Sequence, residues 1–311
     1  MVKIGDSFPV LLVIAVVGVL LLVVGGIVLV RRFLPDRSWS SLAGTTQRNV
    51  VYRTVNGTAV KMDIHFPQTM GDDPLPVVVY IHGGGWIAGD KNSDVGQVDI
   101  IGLVDNGYIA VSIDYRLAPT YRFPAQIEDA KCAIRFLRAN AEKYHLDPNK
   151  VGVFGSSAGG HLVALMGVTD QSAGFDVGEY LDQSSRVQAV VDLYGPTDMS
   201  ILSNNAFTAS VRMAVFGTLD TDVLLWGSAV SYVSSDDPPF LIMHGDKDNV
   251  VPLNQSVMLY EMLVAAHVPA QLVIVHNAGH SWEPVGGTID PSRTEITQLI
   301  VDFFDQHLKN G

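Results

Sequence analysis

The chain has 311 residues, 48% of them apolar and 17% charged, with a formal net charge of −12. Recurring apolar runs exclude a disordered chain, and the single cysteine, Cys132, excludes both a disulfide scaffold and a cysteine-ligated zinc site. Residues 1–37 carry four basic and two acidic side chains, which leaves 16 basic and 30 acidic ones in the body. A body that acidic repels phosphate backbones, so nucleic acid is excluded as a partner.

Residues 8–30 are almost entirely Val, Leu, Ile, Ala and Gly, without a charge. As a helix they would span about 34 Å, enough to cross a hydrocarbon core of about 30 Å. A cleaved signal peptide has a shorter apolar run ending in small residues. Here the run ends at Arg31-Arg32, so an uncleaved single-pass anchor is expected over residues 1–37 with its flanks. Arg31, Arg32 and Arg37 outweigh Lys3 and the α-amine, which places the body on the cytoplasmic side. Residues 38–48 read as a linker, and 49–311 as the catalytic body.

Within the body, 49–54 and 59–66 alternate like strands around Val55-Asn56-Gly57, a hairpin signal. The run 76–81 is continuously apolar, as a strand covered on both faces is, and 108–114 is similar. Residues 124–144 have helical periodicity. Further short, largely buried strands are expected at 151–154, 189–193, 239–243 and 271–275, with helices at 159–168, 253–266 and 291–308. This alternation predicts an α/β fold with a mostly parallel central sheet flanked by helices. The interval 196–237 is too long for a simple connection. About half of it must be an ordinary crossover, and the rest suits a small cap or pocket wall.

Gly155-Ser156-Ser157-Ala158-Gly159 follows a buried strand and opens a helix. G-x-S-x-G in that context is a nucleophile elbow, with Ser157 rather than Ser156 at its apex. A serine hydroxyl needs a base. His280, in a loop after the last predicted strand, is the best candidate among nine histidines. His65, His145, His267 and His307 read as structural or exposed, and His82, His161, His244 and His276 as supporting or structural. An acid must orient the imidazole. Asp248 is the first choice and Asp246 the second, both after the strand 239–243. The order Ser157…Asp248…His280 matches that of α/β-hydrolases. In His82-Gly83-Gly84-Gly85-Trp86, three glycines leave backbone N–H groups free to join that of Ala158 in an oxyanion hole. A phosphate loop would need G-x-G-x-x-G or a Gly-Lys-Ser/Thr ending, and neither is present.

Together, His82–Trp86, Asp114-Tyr115-Arg116-Leu117-Ala118-Pro119, residues 155–160, residues 244–252 and Gly279-His280 resemble the hormone-sensitive-lipase-like α/β-hydrolases. Residues 124–130, Ser156–His161 and Leu193-Tyr194-Gly195-Pro196-Thr197-Asp198 narrow the resemblance to the bacterial carboxylesterase branch that includes feruloyl and acetyl-xylan esterases. It covers residues 45–310 and implies an α/β-hydrolase fold with nucleophile Ser157, base His280 and acid Asp248. It also implies an oxyanion hole from Gly84, Gly85 and Ala158, with Gly83 close by. Many relatives carry an N-terminal helical cap, for which 31–48 is too short. The cap is therefore small or absent and the pocket open, with Trp86, His161, Phe216 and Trp226 as wall candidates. The expected activity is hydrolysis of short-chain carboxylic esters through an acyl-enzyme, acetyl or feruloyl esters of sugars among them, with no metal or organic cofactor. The alternatives are an amidase or peptidase with the same triad, or a non-catalytic binding module on a hydrolase scaffold.

Overall fold

The computed structural model describes residues 42–92, 96–202 and 206–310. The expected membrane span at 8–30 lies outside these, and among the described residues no helix is long and apolar enough to cross a membrane. Eight strands form one sheet: β1 (Thr45–Val55), β2 (Thr58–Phe66), β3 (Leu75–Ile81), β4 (Ile109–Ile113), β5 (Leu146–Ser156), β6 (Ala189–Leu193), β7 (Phe240–Gly245) and β8 (Ala270–Val275). Their order is β1-β2-β4-β3-β5-β6-β7-β8. The pairs β1–β2 and β2–β4 are antiparallel and the others parallel, so the predicted mostly parallel sheet is found.

Every residue of β3 after Leu75 is buried, because alternate side chains feed two different cores. Val77, Val79 and Ile81 point into the larger one. It is completed by α2 (Ala125–Ala139), α4 (Ala158–Val168) and α7 (Asn254–Ala265). Val78 and Tyr80 face the other core, under α1 (Gln97–Asp105) and α8 (Arg293–Phe304). Ser292 caps α8 with a reciprocal Ser292–Glu295 box, which satisfies N–H groups that a helix start leaves open.

Several expectations need correction. β1 begins at Thr45, inside the segment read as linker. Its first residues are largely exposed on an edge strand, so backbone pairing to β2 holds them without apolar alternation. The helix expected at 124–144 breaks at Asn140, whose side-chain amide donates to the Phe136 carbonyl, and resumes as α3 (Ala141–Tyr144). Helix α1 had no sequence signature, because eight of its nine residues are buried and no polar face remains to mark a period. β8 is only partly buried: it is the opposite edge, and Ile274 is 36% exposed. Among its described residues, the long interval after β6 holds α5 (Ala206–Phe216), α6 (Thr221–Trp226) and a 3-10 turn, Ala229–Ser231. Val211, Val215, Phe216 and Leu224 join the larger core, as crossover helices do.

Candidate active site

β5 ends at Ser156 and α4 starts at Ala158, so Ser157 alone makes the turn, at φ 55° and ψ −116°. This backbone conformation is unfavourable for a residue with a Cβ and persists only where its surroundings enforce it. Here the Ser157 N–H donates to the Leu193 carbonyl at 2.9 Å. The glycines beside it are required by contact: a Cβ on Gly159 would lie 2.0 Å from the Ile81 carbonyl oxygen, and one on Gly155 2.4 Å from that of Gly159. Ser157 is partly exposed. Ser156 is buried, with its Oγ 3.1 Å from the Tyr80 hydroxyl.

His280 and Asp248 arrive from the loops after β8 and β7. His280 Nε2 lies 3.0 Å from Ser157 Oγ, and His280 Nδ1 lies 2.7 Å from Asp248 Oδ2. An ionised carboxylate only accepts, so Nδ1 carries the ring proton and Nε2 is left to accept from the serine. The other carboxylate oxygen, Oδ1, accepts from the Val250 and Val251 N–H groups at 2.8 and 2.9 Å. Burial pushes the Asp248 carboxyl up, but its hydrogen bonds with His244 and His280 outweigh burial and hold it well below the usual carboxylate range. Asp246, the second choice for the acid, instead meets Lys247 and His276, each at 3.4 Å.

Two neighbours support the triad: His244, read from sequence as supporting or structural, and Tyr194, which sequence did not place at the site. His244 is fully buried, with Nε2 2.9 Å from the Val251 carbonyl oxygen and 3.4 Å from Asp248 Oδ2, and Nδ1 2.7 Å from Ser256 Oγ. Since a carbonyl only accepts, Nε2 is the donor to Val251. The i,i+4 spacing of His244 and Asp248 was the available signal. Tyr194 presents its ring edge-on to His280, with centroids 4.8 Å apart, and does the same to Trp282. Nothing in the pattern around Tyr194 marks that contact, 86 positions from His280 in sequence.

The triglycine loop abuts the elbow. A Cβ on Gly83 would sit 2.9 Å from the Ser156 carbonyl oxygen and 3.4 Å from Ser157 Cβ. Gly84 and Gly85 have φ of 110° and 61°, a region glycine enters freely. Ala158 is buried at the first position of α4, where backbone N–H groups lack helical partners. Of the wall candidates, Trp86 and Phe216 are buried, His161 is sealed from solvent, and Trp226 is 38% exposed. Sealed inside, His161 can shape the wall but not line it. Phe123 joins Phe216 and Trp226, each at 5.0 Å between ring centroids, and Phe175 lies 5.4 Å from Trp226. Phe123 and Phe175 were not singled out by sequence, since the cluster is gathered from two loops and from the ends of α5 and α6. Among the described residues no group of His, Cys, Asp and Glu side chains could hold a metal ion.

Burial also sets an acid limit on the fold. It lowers His65, His82 and His161 from 6.5 to about 4. Between those values the unfolded chain binds protons that the folded chain refuses, so stability falls as pH drops from about 6.5 to about 4. Asp192 opposes this: burial raises its carboxyl from 3.8 to about 6, which favours the fold as pH drops across that interval. Three histidines outweigh that carboxyl and leave a net loss, and the melting temperature should fall by more than about 5 °C between pH 7 and pH 4.5. A flat melting profile over that range would contradict these burial effects.

The strand order, the strand–serine–helix turn and the Ser157–His280–Asp248 cluster define an α/β-hydrolase. The BD-FAE family matches residues 62–263, nearly two thirds of the chain, and the chain belongs to that family. Esterase LipC of Mycobacterium tuberculosis is 33% identical over 265 residues, which cover 83% of this chain and 64% of LipC. Esterase LipI of the same organism is 32% identical over 263 residues, covering 80% of this chain and 79% of LipI. Among solved structures, a truncated carbohydrate esterase from gut microbiota aligns with a TM-score of 0.72 and 31% identity, over 86% of this chain and 97% of that one. The acetyl ester-xyloside bifunctional hydrolase of Caldicellulosiruptor lactoaceticus aligns with a TM-score of 0.68 and 25% identity, over 81% and 89%. The chain spans less than two thirds of several curated relatives, including 64% of LipC and 43% of the probable carboxylic ester hydrolase LipM.

Proposed function

We propose that the chain is a serine carboxylesterase acting on short-chain esters through an acyl-enzyme. The observation that carries this is the unbroken hydrogen-bonded line from Ser157 Oγ through His280 to Asp248, at 3.0 and 2.7 Å. His280 Nε2 takes the Ser157 proton as Oγ attacks the ester carbonyl. The N–H groups of Gly84, Gly85 and Ala158 hold the oxyanion, with Gly83 buttressing the loop. The tetrahedral intermediate collapses, the C–O bond to the alcohol breaks, and the alcohol leaves with the proton from His280. Water, deprotonated by the same imidazole, then attacks the acyl-enzyme and releases the carboxylic acid. Asp248 keeps the ring in the tautomer that accepts from serine and stabilises the imidazolium.

The carbohydrate esterase and the acetyl ester-xyloside hydrolase among the similar structures favour acetylated sugars as the substrate class. A fluorophosphonate probe should add its mass to the peptide bearing Ser157 and block hydrolysis stoichiometrically. Across esters of two to sixteen acyl carbons, turnover should be highest at six or fewer. An unlabelled Ser157 would end the serine-esterase reading, and a maximum at long chains would end the short-acyl one.

A further inference from the structure

The triglycine loop must hold its N–H groups in place, yet its backbone is strained. Gly84, Gly85 and Trp86 have consecutive positive φ values of 110°, 61° and 59°. Glycine tolerates this, but a tryptophan there is an outlier that its surroundings must enforce. The backbone part of that restraint is visible. The Gly84 carbonyl accepts from Ile87 N–H at 3.1 Å and Ala88 N–H at 3.0 Å, and the Trp86 carbonyl accepts from Ala118 N–H at 2.9 Å.

The side-chain part runs through a histidine that the proposed chemistry does not use. The Trp86 indole N–H donates to His161 Nδ1 at 3.2 Å, and His161 Nε2 lies 2.6 Å from the Gly227 carbonyl oxygen. An indole nitrogen only donates and a carbonyl only accepts, so both roles on the imidazole are fixed: neutral, with the proton on Nε2. Its burial, which lowers the pKa to about 4, keeps it in that state at neutral pH. The ring also meets the indole edge-on, with centroids 5.1 Å apart. His161 sits one helical turn beyond the nucleophile, and its own N–H donates to the Ser157 carbonyl at 3.0 Å. Gly227 closes α6 next to Trp226, whose carbonyl accepts from the Tyr232 hydroxyl at 2.8 Å.

We propose that His161 is a positioning residue that ties the oxyanion loop, through Trp86, to the nucleophile helix and to the segment after α6. The proposal rests on the esterase reading and deepens it. Breaking the tie frees the indole, relaxes residues 84–86, and shifts the Gly84 and Gly85 N–H groups from the point where oxyanion charge develops. Donors of that kind act mainly on the transition state, so the effect falls on kcat rather than KM.

In the full chain, His161→Leu removes both bonds and should lower kcat for a short-chain ester at least about 30-fold with KM within about threefold. His161→Gln keeps one acceptor and one donor and should recover most of the loss. Trp86→Phe should match the leucine variant, and the double variant should be no worse than the more damaged single, as a shared interaction requires. An indole N–H resonance absent in Trp86→Phe should move in His161→Leu. Wild-type kcat in the leucine variant, equal losses in the leucine and glutamine variants, or additive effects with Trp86→Phe would overturn the proposal. If His161→Leu does not fold, Trp86→Phe and His161→Gln carry the same test. A wild-type chain that hydrolyses no ester would fail the esterase reading instead. The indole resonance then still decides whether the tie exists: an unmoved one overturns it.

Discussion

Replacing Ser157 with alanine should lower kcat on a short-chain chromogenic ester by about 10⁵-fold or more, and eliminate the pre-steady-state burst. The variant keeps His280 beside the substrate carbonyl and keeps the N–H donors of the glycine loop. What remains is the modest acceleration that binding and oxyanion stabilisation give without a nucleophile. The fold should not respond. Alanine loses only Oγ, the Ser157 N–H bond to Leu193 is a backbone bond, and the tight contacts of the turn belong to Gly155 and Gly159. Ser156→Ala is the matching control. Its Oγ meets the Tyr80 hydroxyl in the interior, whereas His280 Nε2 meets the Oγ of Ser157. The burst should therefore survive, while stability falls by about 1 kcal/mol as a buried hydroxyl loses its partner. A burst retained in Ser157→Ala and lost in Ser156→Ala would move the nucleophile by one position.

That one-residue choice was legible because the constraint is local. A buried strand, one residue and a helix leave a single position at the apex, and glycine two places to either side is demanded by backbone contact. The sheet was legible for a similar reason. Strand β3 is buried on both faces and reads as an unbroken apolar run, and β6 does so except at Asp192. The pattern fails for an exposed, polar edge strand and for a helix left without a polar face. The start of β1 is exposed and polar, whereas α1 is buried all round. Around the site, the limit is distance along the chain. Asp246 and Asp248 stand in one loop, and sequence ranks Asp248 first without excluding Asp246. They are told apart by the Val250 and Val251 N–H groups, which turn Asp248 inward under His280. Tyr194 against His280 and His161 against Gly227 are contacts made by the fold, and no periodicity announces them.

The Asp248 carboxylate leads to the second large expected effect: Asp248→Asn should lower kcat by about 10⁴-fold with little change in KM. An amide has one accepting and one donating end, and this site asks both ends to accept. Oδ1 accepts two backbone N–H groups, while Oδ2 accepts from His280 Nδ1 and lies 3.4 Å from His244 Nε2. If the amide oxygen keeps the His280 bond, its NH₂ faces the Val250 and Val251 donors and the loop loses its anchor. If the oxygen keeps the backbone bonds, the NH₂ faces His280, and Nδ1 must give up its proton to accept from it. The imidazole then carries its proton on Nε2 and can no longer take one from Ser157. Both orientations disable the base, and the second does so with the geometry intact, so binding should persist while turnover fails. Labelling of Ser157 by a fluorophosphonate should slow in parallel, since it uses the same proton transfer. Asp246→Asn provides the contrast. That carboxylate meets Lys247 and the largely exposed His276, where ion pairs contribute little, and kcat should change less than about threefold. Were the loss at position 246 to exceed that at 248, the acid would have been assigned to the wrong side of the loop.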